Sequence, residues 1–237
     1  MAKPTIVLIP WDPESPAHVQ RMTEQRRVCG WHAPRVPTEW TKEHLEGKKA
    51  IYWIVFPDNE PRREKYTKMH AEKFPEEADE LVDTSRTLLG LPRTPSQARF
   101  LPIGHISLAT HDPVSTDKLG ISVPESGSFW IKSLYISYIL QGLGLGKAAM
   151  TIAERMAAEQ PLNAKHLLLD TVHHEDQSNE EYAMAVYGGL FKVPTQAWYE
   201  RCGYRLIGTV QDLYQDPDST GKIWPCRTVF LQKDLLQ

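Results

Sequence analysis

Between Leu134 and Ala158 the chain reads LYISYILQGLGLGKAAMTIAERMAA: an apolar run, three glycines at alternate positions, a lysine, and a run with helical periodicity. No other stretch limits the fold as strongly. It predicts a strand, a turn free in φ and a helix in immediate succession. Each glycine loses more conformational freedom on folding than any other residue, so Gly142, Gly144 and Gly146 imply that something approaches the main chain there.

The neighbouring segments extend this unit into a sheet protein. Leu145, Ala148, Ala149, Ile152 and Met156 recur at helical spacing with Glu154, Arg155 and Glu159 off their face, which predicts an amphipathic helix over 144–158 packed on a sheet. Pro161-Leu162-Asn163 ends it, and HLLLDTV over 166–172 is the nearly continuous apolar run of a central strand. Further strands are expected over 5–9, 50–56, 103–109, 129–136, 204–210 and 227–232. Helices are expected over 17–28, 39–48 and 194–203, the last with Pro194 at its first turn and Gly203 at its stop.

The charge-rich stretch 58–98 reads as an insertion holding one or two surface helices, REKYTKMHAEKF and PEEADELVDTSRTLL, and residues 173–193 as a second, polar insertion. The first is too short for a core of its own. The order of elements predicts an α+β chain, residues 1–237 as a single domain, with a mixed twisted central sheet flanked by helices and a helical insertion after the second strand.

Composition closes off several functions. With 27 basic against 30 acidic side chains, the bulk charge favours neither nucleic acid nor an anionic membrane. Cys29, Cys202 and Cys226 lack metal-ligand spacing and are odd in number, which argues against a disulfide framework or zinc. No window approaches the ~20 apolar residues of a membrane span. A soluble, cytoplasmic protein without a metal is the expectation.

The glycine loop fits neither of two common phosphate motifs. Its GxGxG spacing lies deep in the chain rather than after a first strand, where a dinucleotide fold places GxGxxG, and Lys147 is followed by Ala148 rather than the Ser or Thr of a Walker loop. Gln141-Gly142-Leu143-Gly144-Leu145-Gly146 does fit Q/R-x-x-G-x-G/A. With the strand ending Leu134-Tyr135-Ile136 before it and the helix after it, this resembles the acyl-CoA-binding loop of the GCN5-related N-acetyltransferase (GNAT) superfamily. Trp198-Tyr199-Glu200-Arg201-Cys202-Gly203-Tyr204 resembles the second signature of that family, a YExxGF-type turn from helix to strand.

The resemblance implies a GNAT-like acyl-CoA N-acyltransferase fold and transfer of an acetyl group from acetyl-CoA to a primary amine of a small molecule or peptide. Attack is direct, within a ternary complex. Backbone N–H groups from Gln141 to Lys147, at the positive end of a helix, form a seat for the pyrophosphate of coenzyme A, and Lys147 can add charge or be merely solvated. Residues Ile136, Ser137 and Tyr138 take the place of the strand that pairs with the pantetheine arm. The Ile136 N–H matches the donor to the developing oxyanion. Tyr199 matches the general acid near the sulfur, protonated at neutral pH with an intrinsic pKa of ~10; its competing reading is packing on pantetheine.

The family position for a strand glutamate, which would supply the base, holds Trp130. Asp170, within HLLLDTV, is a candidate if buried with a raised pKa, or a carboxylate bonded for structure. His105, His173, His174 and Glu125 are others, His105 being read more readily as a core side chain. His173, His174, Glu175 and Asp176 lack ligand spacing and read as a solvated loop. Lys192 and Thr195 stand where the family often has asparagine and alanine. The acceptor site should come from the first helical region, the 110–128 loop and the segment before Tyr199, with walls from Trp11, Trp31, Trp53 and Trp130 or with these tryptophans in the core. A homodimer is allowed. The alternative function, favoured by the missing base, is a non-catalytic acyl-CoA-binding or partner-binding protein on the same fold.

Overall fold

The computed structural model describes residues 3–111, 113–124, 126–214, 218 and 220–235, without the side chains of 113–115. Asp112 and Glu125 lie outside the described residues. In chain order the elements are β1 (Val7–Pro10), α1 (Pro16–Cys29), α2 (Thr41–Leu45), β2 (Lys49–Val55), α3 (Arg63–Lys73), β3 (Leu81–Val82), β4 (Thr87–Leu88), β5 (Leu91–Pro92), β6 (Arg99–Phe100), β7 (Gly104–Thr110), α4 (Pro113–Lys118), β8 (Ser128–Ile136), α5 (Leu145–Ala158), β9 (His166–Val172), α6 (His174–Gln177), α7 (Glu180–Tyr187), α8 (Thr195–Arg201), β10 (Arg205–Gln211) and β11 (Arg227–Asp234). Seven strands form the main sheet in the order β1-β2-β7-β8-β9-β11-β10, mostly antiparallel, with helices flanking it. This is the expected α+β class.

The chain forms two compact units, one of residues 1–110 and 131–157 and one of residues 111–130 and 158–237. In the first unit, β2 lies between β1 and β7, paired antiparallel with both, and every residue from Lys49 to Val55 is buried. A strand enclosed on both edges and both faces is apolar wherever no partner satisfies a polar group: residues 50–55 are AIYWIV, and the buried Lys49 at its start is paired with Glu43. Its core gathers Trp11, Met22, Val36, Trp40, Ile51, Trp53, Val55, Leu81 and Phe100. Trp11 and Trp53 are therefore core, not walls of an acceptor site.

Helix α5 is as expected in length, but its buried stripe is Leu145, Ala149, Met150, Ala153 and Ala157. Ala148, Ile152 and Met156 are only half-buried, so the stripe is rotated by about one residue from the apolar maximum. Small alanines at 149, 153 and 157 recur every fourth residue, and small side chains permit close approach of a helix to the strands beneath it.

The insertion departs from expectation in its second half. REKYTKMHAEK forms α3, but PEEADELVDTSRTLL gives only a 3-10 turn at Pro75–Glu77 and then the short strands β3 and β4. β3 pairs with β6 and β4 with β5. Asp83 organises them: its carboxylate accepts from Arg93 at 2.6 and 2.8 Å and from the Ser96 N–H and hydroxyl at 2.9 and 2.7 Å. A buried carboxylate with four donors outweighs the local helical preference of the flanking residues.

In the second unit β11 lies between β9 and β10, antiparallel to both, and β8 pairs in parallel with β9 from Ser128↔His166 to Trp130↔Leu168. Leu167, Leu168, Leu169, Val229, Phe230 and Leu231 fill its core. The polar insertion of 173–193 holds α6 and α7. Asn179 starts α7 by accepting from the Tyr182 N–H, and Gly188 ends it at φ +74°.

Candidate functional site

In the first unit the end of β8 is fixed from several sides. The Ser137 N–H donates to the Ile103 carbonyl at 2.9 Å, and the Leu140 N–H donates to Ser137 O at 2.8 Å. Backbone groups of successive residues in an extended strand point to opposite edges, so the Ile136 N–H faces the edge away from Ile103. Gly104 is required here: a Cβ at 104 would lie 2.1 Å from the Tyr135 carbonyl oxygen.

A 3-10 turn at Tyr138–Leu140 leads into the glycines. Gly142 and Gly144 adopt φ of +81° and +85°, the left-handed region where an L side chain is strained, whereas Gly146 lies within α5. The three glycines thus have two tasks. Two of them reverse the chain, and the third is a small residue in the first helical turn. The Ala148 N–H closes that turn on Gly144 O, so the N–H groups of Leu145, Gly146 and Lys147 precede the first bond of the regular helical ladder.

Two contacts at this loop were not legible in the sequence. Gln141 turns back and its Nε2 donates to Ile136 O at 3.2 Å, tying the loop to the strand instead of extending toward an anion. The stem of Lys3 lies beside Gly144, 3.3 Å from where a Cβ would stand, which adds a cation from the N-terminal segment to the exposed Lys147. No spacing rule connects residues 3 and 144. The donor set of first-turn amides and two lysines suits a pyrophosphate, and a Cβ on Gly142 would meet nothing within 4 Å, so the main chain there is open to approach. Leu143 and Gly144 are half-exposed, Leu145 is buried, and Leu134 and Ile136 are half-buried and buried on β8.

In the second unit Tyr199 lies on α8, half-buried, with its ring 4.9 Å from Trp198 and 6.1 Å from Tyr204 in edge-on packing. The signature turn closes as expected, with the Gly203 N–H on Glu200 O and the Tyr204 N–H on Tyr199 O. Asp170 is only half-buried, which corrects the picture of a carboxylate enclosed in an apolar strand, and its Oδ2 accepts from the Tyr214 hydroxyl at 2.7 Å. Thr195, in place of the expected alanine, bonds Thr171 Oγ1 at 2.6 Å, so that departure serves the join between α8 and β9.

The other candidates have structural partners. His105 is fully buried; its Nε2 accepts from Arg26 at 3.4 Å, which leaves Nδ1–H to donate to Gln25 Oε1 at 2.9 Å, and burial, then the nearby Arg26 charge, push its pKa well below the usual value. His173 accepts from the Glu175 N–H as a helix cap, and burial, Arg227 and His174 lower its pKa. Glu175 and Asp176 both bond Arg227. Trp130 is buried, with Nε1 donating to His111 Nδ1 at 3.2 Å. Among the described residues no group of three His, Cys, Asp or Glu could hold a metal ion, and no helix is long and apolar enough to cross a membrane.

This architecture, a strand ending in a glycine turn that feeds a helix, defines the class: the chain has the GNAT acetyltransferase fold. Solved structures with that fold match it over nearly its whole length. A protein of Desulfovibrio desulfuricans assigned to the GNAT family superposes with a TM-score of 0.53 at 10% identity, covering 98% of this chain and 100% of that one. An aminoglycoside 6'-N-acetyltransferase complexed with coenzyme A gives 0.51 at 12%, with 98% of each chain covered. Arabidopsis thaliana NAA60 in complex with acetyl-CoA gives 0.51 at 11%, covering 98% and 99%. No family model matches the sequence, and no curated protein matches it.

Proposed function

We propose that this chain is an acetyl-CoA-dependent N-acetyltransferase that acts on a primary amine of a small molecule or peptide by direct attack in a ternary complex. The observation that carries the reading is the glycine turn: left-handed φ at Gly142 and Gly144 presents the first-turn amides of α5 next to the end of β8. A strand-to-helix turn with no ligand to seat has no need of two such residues together with flanking lysines. The fold's relatives solved with coenzyme A and acetyl-CoA support the same co-substrate.

In this reading Leu134 and Ile136 present backbone to the pantetheine arm, Gln141 braces the loop on Ile136 O, and the main chain from Gly142 to Lys147, with Lys3, seats the pyrophosphate. The Ile136 N–H donates to the thioester oxygen as negative charge develops on it, a contribution worth several kcal/mol in a water-poor site. Tyr199 gives its phenolic proton to the departing thiolate. Asp170 receives the proton of the acceptor ammonium. The second reading, a protein that binds acyl-CoA without turning it over, is favoured by buried Trp130, which puts no carboxylate where the family has its strand glutamate.

Calorimetric titration with acetyl-CoA, with ATP and NAD as controls, tests the first claim. Saturable binding of acetyl-CoA alone is expected, and absence of binding by protein freed of co-purified coenzyme overturns it. Thiol release in the presence of an amine panel then separates enzyme from binder.

A further inference from the structure

The insertion carries the least expected chemistry in the molecule. From α3, His70 directs Nδ1 at the Ser137 hydroxyl, 2.9 Å away, and its Nε2 faces Glu77 Oε2 at 3.4 Å. Glu77 Oε2 also accepts from Gln25 Nε2 at 2.7 Å, and the Oε1 of that amide accepts from His105. His70, Glu77, Gln25, His105 and Ser137 are all without exposed surface. Burying a carboxylate and two imidazoles costs free energy, and the cost is not fully offset: His70 Nε2, Glu77 Oε1 and the Tyr135 hydroxyl have no hydrogen-bond partner among the described residues. A purely structural core would be as well served by apolar side chains.

What the polar chain touches gives its purpose. Its terminus is Ser137, the residue after Ile136. Ser137 is held by its N–H on Ile103, by its carbonyl under Leu140 N–H and by its hydroxyl on His70, and Gln141 holds Ile136 O. Ring packing of Phe74 on His70, with centroids 5.5 Å apart, keeps the imidazole in place. Ser137 has no exposed surface, so it cannot meet a substrate, and His70 can act only through it.

We infer that His70, backed by Glu77, is a positioning residue for acetyl transfer: it locks Ser137 and thereby aims the Ile136 N–H at the thioester oxygen. The inference rests on the acetyl-CoA reading above. It makes the 58–98 insertion part of the transfer machinery, because α3 and the turn at Pro75–Glu77 exist only in that insertion. Hydrogen bonds to a carbonyl polarise it only when the donor is placed within a few tenths of an ångström, so a loosened strand end weakens polarisation without removing the pyrophosphate seat.

The test is the infrared stretch of the thioester carbonyl in acetyl-CoA labelled with carbon-13 at that carbon, bound to the full chain. The parent is expected to lower the frequency relative to free acetyl-CoA. His70→Ala should lose at least half of that shift while its affinity for unacetylated coenzyme A, from calorimetry, stays within about twofold, since the seat is separate. His70→Asn, whose amide reaches the Nδ1 position, should recover most of it. Ser137→Ala, the smallest change that removes the same bond, should match His70→Ala and decides the matter if that variant fails to fold. A full shift in either Ser137→Ala or His70→Ala, or no shift in a parent that binds acetyl-CoA, overturns the positioning role and leaves the acetyl-CoA reading standing. A parent that does not bind acetyl-CoA overturns both.

Discussion

At the scale of single residues, the left-handed glycines and Tyr199 carry the sharpest expectations. Gly144→Ala puts a Cβ on φ +85° and against the Lys3 stem, so it should cost about 1 kcal/mol of stability and weaken acetyl-CoA binding, as read by chemical unfolding and calorimetry. Tyr199→Phe removes only a hydroxyl; turnover should fall by about a hundredfold or more with coenzyme affinity little changed. Unchanged turnover would remove the acid role. Gly104→Ala is a different case, because the obstruction is backbone 2.1 Å away and cannot rotate aside. A loss of about 3 kcal/mol or failure to fold is expected from overpacking. The glycine loop and Tyr199 were legible because their signatures are local. His70, Glu77 and Lys3 were not, since each meets a partner more than 50 residues away in the chain, and no periodicity marks a contact made through space.

At the scale of elements, the insertion shows how a single buried ion outweighs local propensity. Asp83 is nearly inaccessible, with its side chain 3% exposed. Burial alone would raise its pKa, but the Arg93 guanidinium and the Ser96 donors outweigh it and hold the carboxyl at about 2, below its ordinary 3.8. A depressed folded-state value means that the stabilisation is complete above about pH 4 and is lost as the pH falls toward 2. The contribution is about 2 kcal/mol. Asp83→Asn should therefore be less stable than the parent by at least about that amount near neutrality, with the gap narrowing as urea unfolding is repeated toward pH 2; a constant gap would show that the charge is not what matters. The same segment, PEEADELVDTSRTLL, reads as a helix by composition and folds as short strands, because Arg93 and Ser96 reach Asp83 only when the chain doubles back. Helix α5 and strand β9 needed no such correction in their placement: each has a strong apolar pattern and ends in proline or polar residues, so the local and the tertiary preferences agree.

At the scale of the whole molecule, two compact units allow unfolding in one or two transitions. Acetyl-CoA at about 100 times its dissociation constant should stabilise whatever folded form binds it by about 2.7 kcal/mol, so the transition that includes the glycine loop moves up by at least about 5 °C in differential scanning calorimetry. A loop variant such as Gly144→Ala should show a smaller shift. The sequence by itself determined the α+β class, the order of the main strands and helices, and the glycine loop and signature turn, because short-range steric limits and 2.0 or 3.6 periodicity are properties of neighbouring residues. Only the tertiary structure decided which apolar side chains are core, that Asp170 is half-exposed, that Gln141 folds back on Ile136, and that the insertion sends a buried His70–Glu77 pair to the end of β8. Those outcomes depend on which distant groups remain to satisfy a polar atom once water is gone, and that is settled when the chain closes on itself.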